Sequence, residues 1–212
     1  MARALSAPGK TRLAPYISDA RLRTLRRALL TDTLLLVASV GGVDRFICFT
    51  PAEAQAEMAS LAAGGFALLP QRGDDLGQRM RFAFEDLLID RGYASAILVG
   101  SDLPLLTTAH FTAALASLQS NADLVIGPAD DGGYYLIGLR AANARLFEGI
   151  AWSTPHVLAD TMRAARRAGL EPTLIQAAYD IDTMEDLQRL ERDLAALPPG
   201  AAVNIRAWLD SR

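Results

Sequence analysis

The chain has 212 residues, 51% of them hydrophobic, and a formal charge of −3. That length suits a single domain, 1–212, with material for a large core. A slightly acidic chain is not a polyanion-coating surface, so no nucleic-acid partner is expected, and any anionic ligand must be held by a local cluster of charge.

In chain order, the first strong pattern is a helix over 18–40, apolar at Leu22, Leu25, Leu29, Val37 and Val40. VDRFICF at 43–49 reads as a strand. A helix follows over 51–62, with Thr50 as N-cap and Pro51 as its first residue. FALLP at 66–70 is a short strand, and 76–90 is a helix stopped by Gly92. SAILVGSD at 95–102 shows no alternation, as a central parallel strand would. A helix over 108–118 precedes strands at 123–129 and 134–140. The helix at 155–167 ends at Gly169, and a strand follows at 171–176. The helix at 184–196 is opened by Thr183 with Asp186 three residues on, close to a capping box. Pro-Pro-Gly at 198–200 breaks the chain before a short helix, 201–210. Its Val203, Ile205, Trp208 and Leu209 are available to the core or to a second subunit, as in a homodimer.

This alternation predicts an α/β fold, three layers α/β/α around a mostly parallel sheet. No apolar run approaches the ~20 residues of a spanning helix, and the first residues lack a signal-peptide core, so a cytoplasmic protein without a membrane partner is expected. The one cysteine, Cys48, sits in an apolar run and reads as buried; it excludes an internal disulfide and a Cys/His metal cluster. His110 and His156 stand at separate helix starts, and no serine-elbow motif accompanies them.

Parallel α/β sheets bind ligands at the carboxyl ends of their strands. Four polar loops lie there, three of them glycine-bearing. Gly100-Ser101-Asp102-Leu103-Pro104 puts a carboxylate in a turn fixed by proline, either as a ligand for Mg²⁺ or Mn²⁺ or as a cap of the next turn. Asp130-Asp131-Gly132-Gly133-Tyr134-Tyr135 allows close approach of backbone to a ligand and is also good turn chemistry. Asp180 and Asp182 alternate in an extended segment, so both point one way; one is a second metal ligand, or Asp182 and Thr183 simply cap the following helix. The loop from Gln71 through Gly73, Asp75 and Gly77 to Arg79 suits base-edge recognition and phosphate contact, or is an ordinary acidic helix start.

Lys10 is the only lysine, set in Pro8-Gly9-Lys10-Thr11-Arg12. Arginine elsewhere reflects a compositional bias, so the lone lysine is either chance or a compact point charge kept for a phosphate.

PGKTRLAP, PQRGDDLGQRM, GSDLP, GPADDGGYYLIGL, WSTP and DIDTMEDL, in this order from about Pro8 to Leu190, resemble the GT-A-like "transferase 1" family associated with radical-SAM and selenodomain neighbourhoods. That family is similar to 2-phospho-lactate guanylyltransferases. The resemblance implies a nucleotide-diphospho-sugar transferase fold and a metal-dependent transferase using a nucleoside triphosphate or nucleotide sugar, with a small-molecule acceptor. It implies Lys10, Arg12 and Asp102 as catalytic. Pro8, Gly9, Lys10, Arg12, Gln71, Gly73, Asp75, Gly77, Arg79 and Ser101 would bind the nucleotide. Asp131, Gly132, Gly133, Tyr134, Trp152 and Ser153 would line the acceptor side, and Asp102 and Asp182 would hold Mg²⁺ or Mn²⁺. One departure stands out. The family opens with a full apolar strand, whereas here only Ala2 to Leu5 precede a shortened loop, so strand 1 reads as clipped. A catalytically inactive nucleotide- or partner-binding module is the alternative this raises.

Overall fold

The computed structural model describes residues 1–62 and 65–211. Along the chain run β1 (Ala2–Arg3), α1 (Asp19–Ala38), β2 (Arg45–Thr50), α2 (Gln55–Leu61), β3 (Phe66–Pro70), α3 (Leu76–Glu85), β4 (Ala96–Val99), α4 (Thr108–Gln119), β5 (Leu124–Pro128), β6 (Tyr134–Leu139), α5 (Val157–Arg167), β7 (Pro172–Leu174), α6 (Met184–Asp193) and α7 (Val203–Asp210). They divide into two compact units. The first is Met1–Pro70, Ser101–Thr108 and Tyr179–Arg212; the second is Gln71–Gly100 and Ala109–Ala178.

In the first unit, β1, β2 and β3 form an all-parallel sheet in that order. β1 meets β2 at Ala2↔Phe49 and Arg3↔Thr50. α1 starts where the sequence places it, because the Ser18 hydroxyl accepts from Arg21 N. Its buried Leu22, Leu25, Ala28 and Leu29 follow helical spacing and pack with Tyr179, Ile181, Leu187 and Leu190. The capping box of α6 is complete, with Thr183 N donating to Asp186 Oδ2 at 2.7 Å and Asp186 N to Thr183 Oγ1 at 3.2 Å.

Thr50 does not cap α2. It ends β2, and its carbonyl accepts from Ala4 N at 2.8 Å. Strand pairing has claimed its backbone, so a 3₁₀ turn over Ala52–Ala54 comes first, and α2 opens without a side-chain cap.

α7 docks on α1. Asp32, buried in mid-helix, accepts from Asn204 N at 3.0 Å, Asn204 Nδ2 at 2.7 Å and Ile205 N at 2.9 Å. The Trp208 indole donates to Thr24 Oγ1 at 3.1 Å, under the Arg21 guanidinium at 4.4 Å from the ring centroid. Ile205 and Trp208 are thus covered within the chain, not held out for a second subunit. Asp32→Ala would orphan three donors at this helix start; it should cost about 1–3 kcal/mol, readable by denaturant unfolding.

In the second unit the strand order is β4-β6-β5-β7. β5 pairs with β7 in parallel, but β6 is antiparallel to both β4 and β5. The expectation of a central parallel strand at 95–102 is corrected here, since β4 pairs antiparallel with β6. An apolar run reports burial on both faces, not strand direction. The direction of β6 follows from its short link to β5, residues 129–133, too few for a crossover. The helix expected over 76–90 is present, as α3 followed by a π turn at Asp86–Asp90. Buried Met80, Phe84, Ile126, Leu136, Leu146 and Phe147 contribute to the core of this unit, with Phe84 and Phe147 stacked at 6.0 Å.

Candidate functional site

Within the first unit the fold brings the Pro-Gly-Lys loop to two of the acids singled out from the sequence. Lys10 adopts φ +56°, and its side chain is 7% exposed. The ammonium donates to the Asp102 carboxylate and to Asp182 Oδ1 at 2.7 Å. Burial alone would lower its pKa; the two carboxylates outweigh that and raise it above the ordinary lysine value. Asp182 stands just before the Thr183 cap, and its N–H donates to Asp186 Oδ2 at 3.0 Å. A backbone bond from Ile181 N to Asp102 O, 3.2 Å, ties the two acid-bearing segments together. Asp180 joins them: Asp102, Asp180 and Asp182 each offer an oxygen, all within 4.8 Å of one another. The Arg12 guanidinium stands 3.9 Å from Asp182 and is 69% exposed. A cavity of about 220 Å³ opens beside Gly9, Lys10, Ser101, Asp102, Asp182 and Arg26.

This is an oxygen-donor set of net negative charge with a buried ammonium inside it and a guanidinium at its rim. Hard oxygen ligands of this kind suit Mg²⁺ or Mn²⁺. The two cations suit an anion such as a phosphate.

The second unit gathers the remaining residues singled out from the sequence. Asp75 caps α3, accepting from Gln78 N at 2.8 Å. Gly73 takes φ +107°, and Arg79 Nε donates back to its carbonyl at 3.1 Å. Gln71 begins this loop. Gly77 lies flat against the Trp152 indole, where an added Cβ would come within 2.5 Å of the ring. The fold therefore puts a residue assigned to the nucleotide against one assigned to the acceptor. Trp152 belongs to the turn before α5, whose Pro155 packs against Gly132. Ser153 adopts φ +63°, and Gly132, at φ +86°, accepts from Leu158 N at 2.8 Å. The Asp131 side chain accepts from Gly133 N at 2.8 Å. The Tyr134 hydroxyl is 3.9 Å from Met80 Sδ, and burial pushes its pKa up. A Cβ on Gly132 would sit 2.1 Å from Pro155 O, so Gly132→Ala is both strained and obstructed. It should cost more than about 1 kcal/mol in thermal unfolding.

In the first unit, four residues around the Lys10 loop and its acids escaped the sequence reading or were left unassigned by it. Asp180 carried a signal, the alternation Asp-x-Asp. Arg3, Arg26 and Glu57 carried none, since each is one charge among many on an ordinary element.

The model of a family described as "Uncharacterized protein conserved in bacteria (DUF2064)" matches residues 33–154. The chain belongs to this family. Asp102 falls inside the matched span; Lys10 and Asp182 fall outside it. A 3-phospho-D-glycerate guanylyltransferase of Phenylobacterium zucineum is 34% identical over 193 residues, covering 86% of this chain and 84% of that protein. A 2-phospho-L-lactate guanylyltransferase of Methanothermobacter thermautotrophicus is 30% identical over 182 residues, covering 84% and 76%. A crystal structure from Desulfovibrio desulfuricans, described as a nucleotide-diphospho-sugar transferase, superposes with a TM-score of 0.90 at 32% identity, over 99% of this chain and 91% of that one. A 4-diphosphocytidyl-2C-methyl-D-erythritol synthase of Anaerococcus prevotii, 12% identical with a TM-score of 0.56 over 79% and 86%, shares the fold. This DUF2064 member is a mixed α/β transferase of the nucleotide-diphospho-sugar transferase fold, using a nucleotide donor. No helix among its described residues is long and apolar enough to cross a membrane.

Proposed function

We propose that this transferase moves a nucleotidyl group from a nucleoside triphosphate, GTP first among candidates, to the phosphate of a small phosphorylated hydroxy acid. The observation that carries the reading is the buried Lys10 ammonium lodged between Asp102 and Asp182, with Arg12 beside it. The two guanylyltransferase relatives favour this donor and acceptor class.

In such a reaction an oxygen of the acceptor phosphate attacks the α-phosphorus. A new P–O bond forms, the bond to the β-phosphate bridging oxygen breaks, and pyrophosphate leaves with that electron pair. There is little covalent chemistry for the protein to perform, so position and charge are its contribution. Lys10 and the exposed Arg12 would neutralise the phosphates. Asp102 and Asp182, joined by Asp180, fit Mg²⁺ or Mn²⁺, which would offset the negative charge of the triphosphate. Pro8, Gly9 and Ser101 would shape the same pocket through backbone and hydroxyl groups. Gln71, Gly73, Asp75, Gly77 and Arg79 keep their proposed nucleotide role. Asp131, Gly132, Gly133, Tyr134, Trp152 and Ser153 keep theirs toward the acceptor.

A second reading, glycosyl transfer from a nucleotide sugar, is favoured by the description of the Desulfovibrio structure. The two are told apart by their products. The chain would be incubated with each nucleoside triphosphate or nucleotide sugar, Mg²⁺, and 3-phospho-D-glycerate or 2-phospho-L-lactate. Acceptor-dependent pyrophosphate supports nucleotidyl transfer. Release of a nucleoside diphosphate supports glycosyl transfer. Binding of a nucleotide with neither product would support a binding module.

A further inference from the structure

Lys10 is delivered to Asp102 and Asp182 by a loop that should not hold its shape unaided. Residues 4–9, Ala-Leu-Ser-Ala-Pro-Gly, offer one polar side chain, and Lys10 itself is left-handed at φ +56°. A non-glycine residue persists there when its surroundings over-determine the backbone. Two charged side chains do so here. Arg26 of α1 takes the carbonyls: its Nη2 donates to Ala4 O at 2.6 Å, and its Nη1 to Leu5 O at 3.2 Å and to Ala7 O. Glu57 of α2 takes the donors: Oε1 accepts from Leu5 N at 2.6 Å and Oε2 from the Ser6 hydroxyl at 2.6 Å. Arg3 adds a bond to Pro8 O at 3.1 Å. Gly9 completes the fit, because a Cβ there would lie 2.8 Å from Arg26 Nε.

We propose that Arg26 and Glu57 are positioning residues that clamp the 4–9 loop and so aim the Lys10 ammonium; their link to catalysis rests on Lys10 serving the nucleotide. Glu57 does not line the cavity beside Lys10; Arg26 does, and its donors go to the loop carbonyls. A planar guanidinium spans several carbonyls at once, which a lysine ammonium does not. A carboxylate accepts from several loop donors at once.

The lone lysine makes the test direct. Protein labelled with ¹⁵N-lysine should show a single lysine ammonium, protected from solvent by burial and its two carboxylates. Arg26→Met and Glu57→Gln are expected to broaden that signal beyond detection below the unfolding temperature. Gly9→Ala, which pushes on Arg26, should do the same. Asp32→Ala, destabilised at α7 because Asp32 bonds to Asn204 and Ile205 and not to the loop, should keep it. If either clamp variant retains the protected ammonium, or if Asp32→Ala loses it equally, the clamp is overturned. Should Arg26→Met not fold, the isosteric Glu57→Gln decides. Calorimetry with GTP and Mg²⁺ reads the catalytic link: Glu57→Gln should weaken GTP by about tenfold, the scale of a lost charge-assisted contact at Lys10. Lys10→Met binding GTP like the parent would sink the nucleotide role of Lys10 while leaving the spectroscopic result to judge the clamp.

Discussion

Asp102→Asn is expected to lower kcat/KM by at least roughly 100-fold, with the larger part in kcat, while leaving the fold in place. The substitution keeps the shape of the side chain and removes its charge. Asp102 serves two partners, the Lys10 ammonium and the oxygen cluster with Asp180 and Asp182. An amide can still accept one hydrogen bond, but it no longer offers a hard anionic oxygen to a divalent cation. Even the neighbours of metal ligands cost about 10–100-fold when altered, so Asp102, as a proposed ligand, should cost at least the upper figure. Mg²⁺ dependence measured by steady-state kinetics checks this. A variant with parental kcat and an unchanged Mg²⁺ dependence would remove Asp102 from the site.

Lys10→Met is expected to do two things at once. It removes the ammonium buried between Asp102 and Asp182, leaving two carboxylates of like charge facing each other. Breaking a fully buried pair costs ~3–5 kcal/mol. Asp102 and Asp182 are 33% and 38% exposed, so water screens them, and a loss of about 1–2 kcal/mol is the reasonable figure. The same change should weaken nucleoside triphosphate binding about tenfold or more, the contribution of a charge-assisted hydrogen bond. Denaturant unfolding and calorimetry measure the two effects separately.

The pH dependence has a definite sign. The folded-state pKa of Lys10 is raised, because its carboxylate partners outweigh the cost of burial. Its stabilisation is therefore fully present below the ordinary lysine range, about 10.4, and is lost as pH rises through the higher folded value. The stability gap between parent and Lys10→Met should be constant near neutral pH and close only in strong alkali. A gap that closes below pH 9 would mean that the ammonium is not paired as described.

The chain's own order of residues determined a good part of this. Apolar spacing along 18–40, the Ser18 cap and the Thr183–Asp186 box specify helices through contacts within one or two turns, and those helices are where they were expected. The mixed α/β class follows from the same local signals. So does the oddness of one lysine in a Pro-Gly loop, and the polar residues after each strand. These features are local, and local physics writes them into adjacent residues.

Tertiary structure decided what depends on partners far along the chain. The direction of β6 was hidden because an apolar strand looks alike in either direction. Thr50 was lost to strand pairing, since a backbone carbonyl claimed by Ala4 leaves the residue in the strand. The last helix belongs to α1 because one aspartate, 172 positions before Asn204, takes its free N–H groups. The same holds at the candidate site. The sequence pointed to Lys10, Asp102 and Asp182 as separate signals. Only folding seats the ammonium on both carboxylates, adds Asp180, and recruits Arg26 and Glu57 to hold the loop. Charge carries no address in a sequence, because a single arginine on a helix reads the same whether it faces water or three carbonyl oxygens.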